Sequence, residues 1–170
     1  MGKNNIILIG MPGAGTSTMG VVLAKIAGMD FLDCDLLIQN RHHKTLQRLI
    51  DELGPEGFIE LENEALKTID VEDTIISTGG SACYSDEAMN YLRSIGTVVF
   101  LDISFEELRR RLGDLDERGV VMRGGAGMTL RALYDERQPL YEQYADYVAD
   151  VEGLSITDSA RAVLDTLKLN

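Results

Sequence analysis

Ile6-Ile7-Leu8-Ile9-Gly10-Met11-Pro12-Gly13-Ala14-Gly15-Thr16-Ser17-Thr18 is the stretch from which the fold is read. Four consecutive aliphatic residues suit a central parallel strand covered on both faces. The glycines that follow end the strand, and Thr16 to Ala27 reads as a helix. Strand, glycine loop and helix thus occur in the order a phosphate-cradling loop requires, with backbone N–H groups and the positive helix end turned toward an anion. The spacing matches GxxxxGK[ST] at Gly10, Gly15 and Ser17, but Thr16 occupies the lysine position. Gly10, Gly13, Ala14, Gly15, Thr16, Ser17 and Thr18 are the expected nucleotide-binding residues, with Ser17 placed to ligate Mg²⁺ through its hydroxyl. Thr16 offers a hydrogen bond and no charge. Loss of such a contact costs about 3 to 4 kcal/mol, a few hundredfold in rate, which points to a slow kinase or a nucleotide binder. Two other readings stay open. The segment could be a tight βα turn, or a dinucleotide loop with Asp35 near the ribose-binding distance, although no GxGxxG is set.

Outward from this stretch, Gly28 stops the first helix and Phe31-Leu32 begins a short buried element leading to Asp33-Cys34-Asp35. Leu36 to Leu53 has a broken helical pattern, Gly54-Pro55 punctuates it, and Phe58, Leu61, Ala65, Leu66 and Ile69 resume helical spacing. Thr74 to Ser77 and Thr97 to Leu101 read as strands. Ser85 and Ser104 are helix caps. Residues 113–127 are glycine-rich with little periodicity and are expected to form a mobile lid. Thr129 begins a helix expected to bend or restart at Pro139. Tyr147-Val148 is a short strand, and Ser159 to Leu169 a closing helix. Strands alternating with helices predict an α/β fold: three α/β/α layers around a mostly parallel sheet.

A chain of 170 residues, 45% of them hydrophobic, can build one substantial core, so one domain over 1–170 is expected. Acidic residues number 28 against 16 Lys plus Arg, a formal net charge of −12. That charge repels nucleic acid and anionic membrane, leaving a small molecule as the expected partner. No apolar run approaches the roughly 18 residues of a membrane span, and Gly2 lacks the Ser or Thr of a myristoylation site. Cys34 and Cys83 form no CxxC pair and stand in no Cys/His cluster, which favours a reducing, cytoplasmic setting over structural zinc or disulfides. The chain is expected to act as a monomer.

Together these motifs resemble those of shikimate kinase over nearly the full length. Phe31-Leu32-Asp33-Cys34-Asp35 matches the family's Phe-x-Asp-x-Asp, Gly54 to Glu62 its Gly-x-x-x-Phe-Arg-x-x-Glu with Ile59 at the arginine, and Gly79-Gly80-Ser81 its Gly-Gly-Gly. Glu136-Arg137-Gln138-Pro139-Leu140-Tyr141 matches its Glu-Arg-x-Pro-Leu-Tyr, and Arg118 is the nearest match to its lid arginine. The resemblance implies a nucleoside-monophosphate-kinase-like fold with ATP and Mg²⁺ as cofactors, and a helical substrate region over 34–70. It implies that Asp33 supports the metal and that Asp35 holds and deprotonates the acceptor hydroxyl. Gly79, Gly80, Ser81 and Arg137 would contact the substrate, Ser81 with a hydroxyl able to donate, and Arg118 would reach across phosphates and substrate. The implied reaction moves the γ-phosphoryl of ATP to the 3-hydroxyl of shikimate or a related hydroxy acid.

Ile59 cannot make the bidentate carboxylate contact of an arginine. It is expected to leave Glu62 solvated and to line a pocket for a less anionic hydroxyl compound, while Arg123 is a candidate substitute for the missing loop charge. A nucleotide- or metabolite-binding protein without useful kinase activity is the competing class. His42 and His43 are read as surface or helix-end residues, Cys34 as a buried apolar side chain pointing away from its aspartates, Tyr141 as packing, and Asp51-Glu52 and Asp70 to Asp73 as solvated faces.

Overall fold

The structure, a computed structural model, describes residues 3–112 and 128–169. Five strands, β1 (Asn5–Ile9), β2 (Asp30–Asp33), β3 (Thr74–Ser77), β4 (Gly96–Asp102) and β5 (Tyr147–Asp150), form one sheet in the order β2-β3-β1-β4-β5. Every pairing is parallel, with Ile7 of β1 opposite Ile76 of β3 and Val98 of β4. The helices are α1 (Thr16–Ala27), α2 (Cys34–His42), α3 (Leu46–Leu66), α4 (Asp86–Ile95), α5 (Phe105–Leu112), α6 (Leu130–Tyr144) and α7 (Ile156–Leu167). α1 and α7 pack together on one face of the sheet, and α4 and α6 cover β4 on the other, giving the expected three layers. None of the described helices is long and apolar enough to cross a membrane.

Covering both faces explains why β1 and β3 carry aliphatic runs instead of alternation: Ile6 through Ile9, Ile75 and Ile76 are all buried. Burying each aliphatic side chain contributes about 1.5 to 3 kcal/mol. α1 lies unusually close to the sheet, because a Cβ at Gly20 would stand 2.6 Å from Ser77 Oγ and 2.8 Å from a ring carbon of Phe31. Ser77 Oγ in turn donates to the carbonyl of Thr16 at 2.6 Å, tying the start of α1 to the end of β3. At the other end of the sheet the buried Asn5 acts as a bolt. Its Nδ2 donates to the carbonyls of Val71 and Ile95, at 2.8 and 2.9 Å, and its Oδ1 accepts from the N–H of Thr74 at 3.0 Å.

Several boundaries depart from the sequence reading. α2 ends where His43 takes a left-handed conformation, φ 53°, and α3 restarts after Thr45, whose side chain accepts from the N–H of Arg48. Gly54, at φ 72° and ψ 171°, kinks α3, so Pro55 can open the second half, where its missing N–H is not needed. The restart expected at Pro139 does not occur: α6 runs continuously from Leu130 to Tyr144. Its buried face is anchored on both sides of the proline by Arg137 and Tyr141, and the Tyr141 hydroxyl donates to the carbonyl of Gly80 at 2.7 Å. α7 starts three residues before the expected Ser159, because Ser155 accepts from the N–H of Asp158 and caps it there. The region 34–70 has a small core of its own, Ile38, Leu49, Phe58 and Ala65, against which Leu46, Ile50, Ile59 and Leu61 pack.

Candidate functional site

All five strands end on one side of the sheet, and the chain reverses direction of travel between β1 and β3, which is where open parallel sheets bind ligands. A cleft of about 400 Å³ opens there, lined by Gly10 to Gly13, Gly15 to Thr18, Asp35, Leu46, Phe58, Thr78 to Ser81 and Arg137. The glycine loop forms its floor on one side. Gly13 and Gly15 sit at φ 89° and 94°, a region closed to most side chains, and the Ala14 N–H returns to the Met11 carbonyl at 3.0 Å. A Cβ at Gly13 would stand 2.9 Å from Leu112 Cδ2, so the loop rests on the end of α5. Arg111 of that turn ion-pairs with Glu107 at 2.8 Å and reaches the Gly13 carbonyl at 3.4 Å. Ala14 is buried against Gly10 and does not line the cleft.

α1 begins at Gly15 with no side-chain cap. The other described α-helices have one, from Asp33, Thr45, Ser85, Ser104, Thr129 and Ser155. Its first N–H groups and the positive end of its dipole therefore face the cleft, the arrangement that receives a phosphate. Thr16, Ser17 and Thr18 line this mouth.

Across from the loop stand groups from α2, α6 and the turn after β3. Cys34 belongs to α2 and not to an extended segment, so the pattern expected of a strand end does not apply. Asp33 instead caps α2, its Oδ1 accepting from the N–H groups of Asp35 and Leu36 at 2.9 and 3.1 Å. Asp35, in the first turn, projects into the cleft with its Oδ1 against Gly79. Burial, with the charge of Asp33 adding to it, pushes the Asp35 carboxyl up to about 6. Cys34 is fully buried, and burial raises its thiol well above the ordinary range, as expected of an inert packing residue.

Glu62 corrects an expectation. It is 2% exposed instead of solvated, because it shares the apolar stripe of α3 with Phe58, Ala65 and Leu66. Its Oε1 accepts from Ser81 Oγ at 2.8 Å, while Oε2 has no hydrogen-bond partner. Burial drives its carboxyl up to about 7, with Asp35 adding to the rise and the Ser81 bond and Arg137 opposing it. Ser81 therefore gives its proton to Glu62 and not to a ligand. Ile59 does not line the cleft but packs into the small helical core. Arg137 is fully buried yet lines the cleft, its Nε donating to the Tyr84 hydroxyl at 3.1 Å and its guanidinium lying 5.1 Å from the centre of that ring. Tyr141 packs on Phe100 with ring centres 5.2 Å apart. His43 caps α2, its N–H donating to the Gln39 carbonyl.

The expectations for Arg118, Arg123 and the lid 113–127 lie outside the described residues. Among the described residues no three His, Cys, Asp or Glu side chains gather as a metal cage. The Ser17 hydroxyl lines the cleft and is a hard oxygen donor that suits Mg²⁺ arriving with phosphate oxygens and its own waters, whereas Asp33 is not among the lining residues and its Oδ1 is taken up in capping α2.

Met11, Pro12, Leu46, Phe58 and Thr78 complete the lining and were not read from sequence as site residues. The four-residue step from Phe58 to Glu62 was the available signal for the buried carboxylate.

A family model described as "Shikimate kinase" matches residues 12–168. A shikimate kinase of Parabacteroides distasonis is 39% identical over 160 residues, 91% of each chain. Among solved structures, the shikimate kinase of Acinetobacter baumannii in complex with shikimate superposes with a TM-score of 0.86 at 28% identity, covering 98% of this chain and 93% of the other. That of Bacteroides thetaiotaomicron gives 0.81 at 31% identity over 98% and 99%.

Proposed function

Because the chain belongs to the shikimate kinase family, we propose that it is an ATP-dependent phosphotransferase acting on a hydroxyl of a shikimate-like small molecule. The observation that carries this reading is a single cleft in which an uncapped helix start and glycine loop face a buried carboxylate, Asp35. In this reading the loop N–H groups of Gly13, Gly15, Thr16 and Ser17 hold the phosphates of ATP. Ser17 would ligate Mg²⁺ and Asp33 would support it from the start of α2, the ion supplying charge neutralisation to the transferring phosphoryl group. Asp35 accepts the proton of the acceptor hydroxyl as its oxygen attacks the γ-phosphorus in line. A carboxyl near 6 is ionised at neutral pH yet basic enough for that task. Gly79, Gly80 and Arg137 orient the acceptor. Thr16 lacks the charge of a lysine, so turnover is about 10² to 10³ below that of a lysine-bearing loop.

The test is incubation of purified protein with Mg-ATP and millimolar shikimate or its carboxamide, with phosphorylated product resolved by mass. Product that disappears in Asp35→Asn, while Mg-ATP binding persists, is the expected result. Saturable Mg-ATP binding with no product from either compound would make the chain a nucleotide-binding protein and sink the transfer reading.

A further inference from the structure

Two replacements at the acceptor end act on one group. By resemblance, Ser81 stands where a third glycine would, and Ile59 where an arginine would. Ile59 turns into the small helical core, so position 59 brings no guanidinium to Glu62. Ser81 Oγ donates to Glu62 Oε1 instead, at 2.8 Å, in a buried pair. The other oxygen, Oε2, is buried without a hydrogen bond and lies 3.1 Å from the point where a Cβ of Gly79 would stand. Asp35 Oδ1 is 2.6 Å from the same point, so the two carboxylates converge behind and beside the glycine turn.

A hydroxyl whose proton is held by a carboxylate offers only lone pairs to its other neighbours. Ser81 and Asp35, both lining the cleft, thus form a wall of acceptors, with the Glu62 carboxyl behind it. Among the described lining residues Arg137 alone is cationic. Resting on the phosphotransferase reading, we infer that this end of the cleft selects an uncharged polyhydroxy ligand whose O–H groups donate to Ser81 Oγ and Asp35, and discriminates against a carboxylate at that wall. Ser81 and Glu62 are then specificity-determining residues. A carboxylate there would set lone pairs against lone pairs and add a third acidic group facing one guanidinium.

Shikimate and its carboxamide are a matched pair of probes: the ring hydroxyls are the same and only the charged end differs. Calorimetric titration of the full chain without nucleotide is expected to give the carboxamide about tenfold or more tighter binding, a difference of about 1.4 kcal/mol or more. Glu62→Gln keeps an oxygen to accept from Ser81 and removes the charge. It is expected to recover shikimate affinity several-fold with the carboxamide unchanged, whereas a merely structural Glu62 would move both probes alike. Shikimate binding as tightly as the carboxamide to the unmodified protein would overturn the inference, as would equal shifts in the variant or binding of neither probe. The comparison on the unmodified protein stands whether or not the variant folds. A carboxylate preference leaves the phosphotransferase reading intact, while loss of Mg-ATP binding strikes that reading alone.

Discussion

Glu62→Gln should convert a pH-dependent weakness of the fold into a pH-independent one. Glu62 is fully buried with one oxygen unpartnered, and its carboxyl sits at about 7 against an ordinary 4.5. Below pH 4.5 the group is protonated in the folded and the unfolded chain alike and contributes nothing to pH dependence. Between 4.5 and 7 the unfolded chain releases a proton that the folded chain retains, so the unfolded state binds fewer protons and stability falls as pH rises. Above 7 the whole penalty is present: at about 1.4 kcal/mol per pH unit it amounts to roughly 3 kcal/mol. The variant keeps the acceptor for Ser81 and has no charge to bury, so its advantage over the unmodified protein should grow from near zero at pH 4.5 to about 3 kcal/mol at pH 8. With a urea slope of about 2 kcal/mol/M, that is a midpoint shift of 1 to 2 M. The chain has six tyrosines and no tryptophan, so urea unfolding is followed by tyrosine fluorescence and far-ultraviolet circular dichroism. Taking the difference between the two proteins at each pH removes the separate titration of Asp35 to first order. Stability curves that run parallel from pH 5 to 8 would refute the reasoning.

Thr16→Lys should raise turnover by about 10² to 10³ by restoring a loop cation, measured as kcat with Mg-ATP saturating; an unchanged kcat would mean that another group already supplies the charge. Gly79→Ala places a Cβ 2.6 Å from Asp35 Oδ1, so transfer should fall at least tenfold while Mg-ATP affinity, measured by calorimetry, holds. Asn5→Ala removes three hydrogen bonds, two of them buried, that join β1 to β3, the end of α4 and the loop at Val71, and should lower the unfolding free energy by about 3 kcal/mol, read by urea titration with activity of the remaining folded protein unchanged.

The sheet and its glycine-loop end were legible because they rest on local signals. The aliphatic run of β1, the glycines at 10, 13 and 15 and the helical period after Thr16 each depend on neighbours close in the chain. The acceptor end was harder to read, because its chemistry depends on contacts across 19 residues and more: Ser81 and Glu62 meet only after α3 and β3 have folded back on each other. The residue types alone allowed Ser81 to donate to a ligand, and only the geometry shows where its proton goes. Ile59 was visible as a departure from the resemblance, but which way it turned depended on the small core of α2 and α3. Pro139 was read by its intrinsic preference, and packing on both sides of it overrode that preference.

The resting of Gly13 on Leu112 makes the glycine loop and the end of α5 one unit of variation, 99 residues apart in the chain. A side chain at 13 is opposed twice, by Leu112 at 2.9 Å and by the left-handed backbone at φ 89°, and a bulkier residue at 112 would press the loop out of shape from behind. A mutational library in the loop therefore gains nothing at 13 from small residues at 112, because the left-handed backbone still demands glycine; the freedom lies at 112, where smaller residues leave the loop's shape to its own turn.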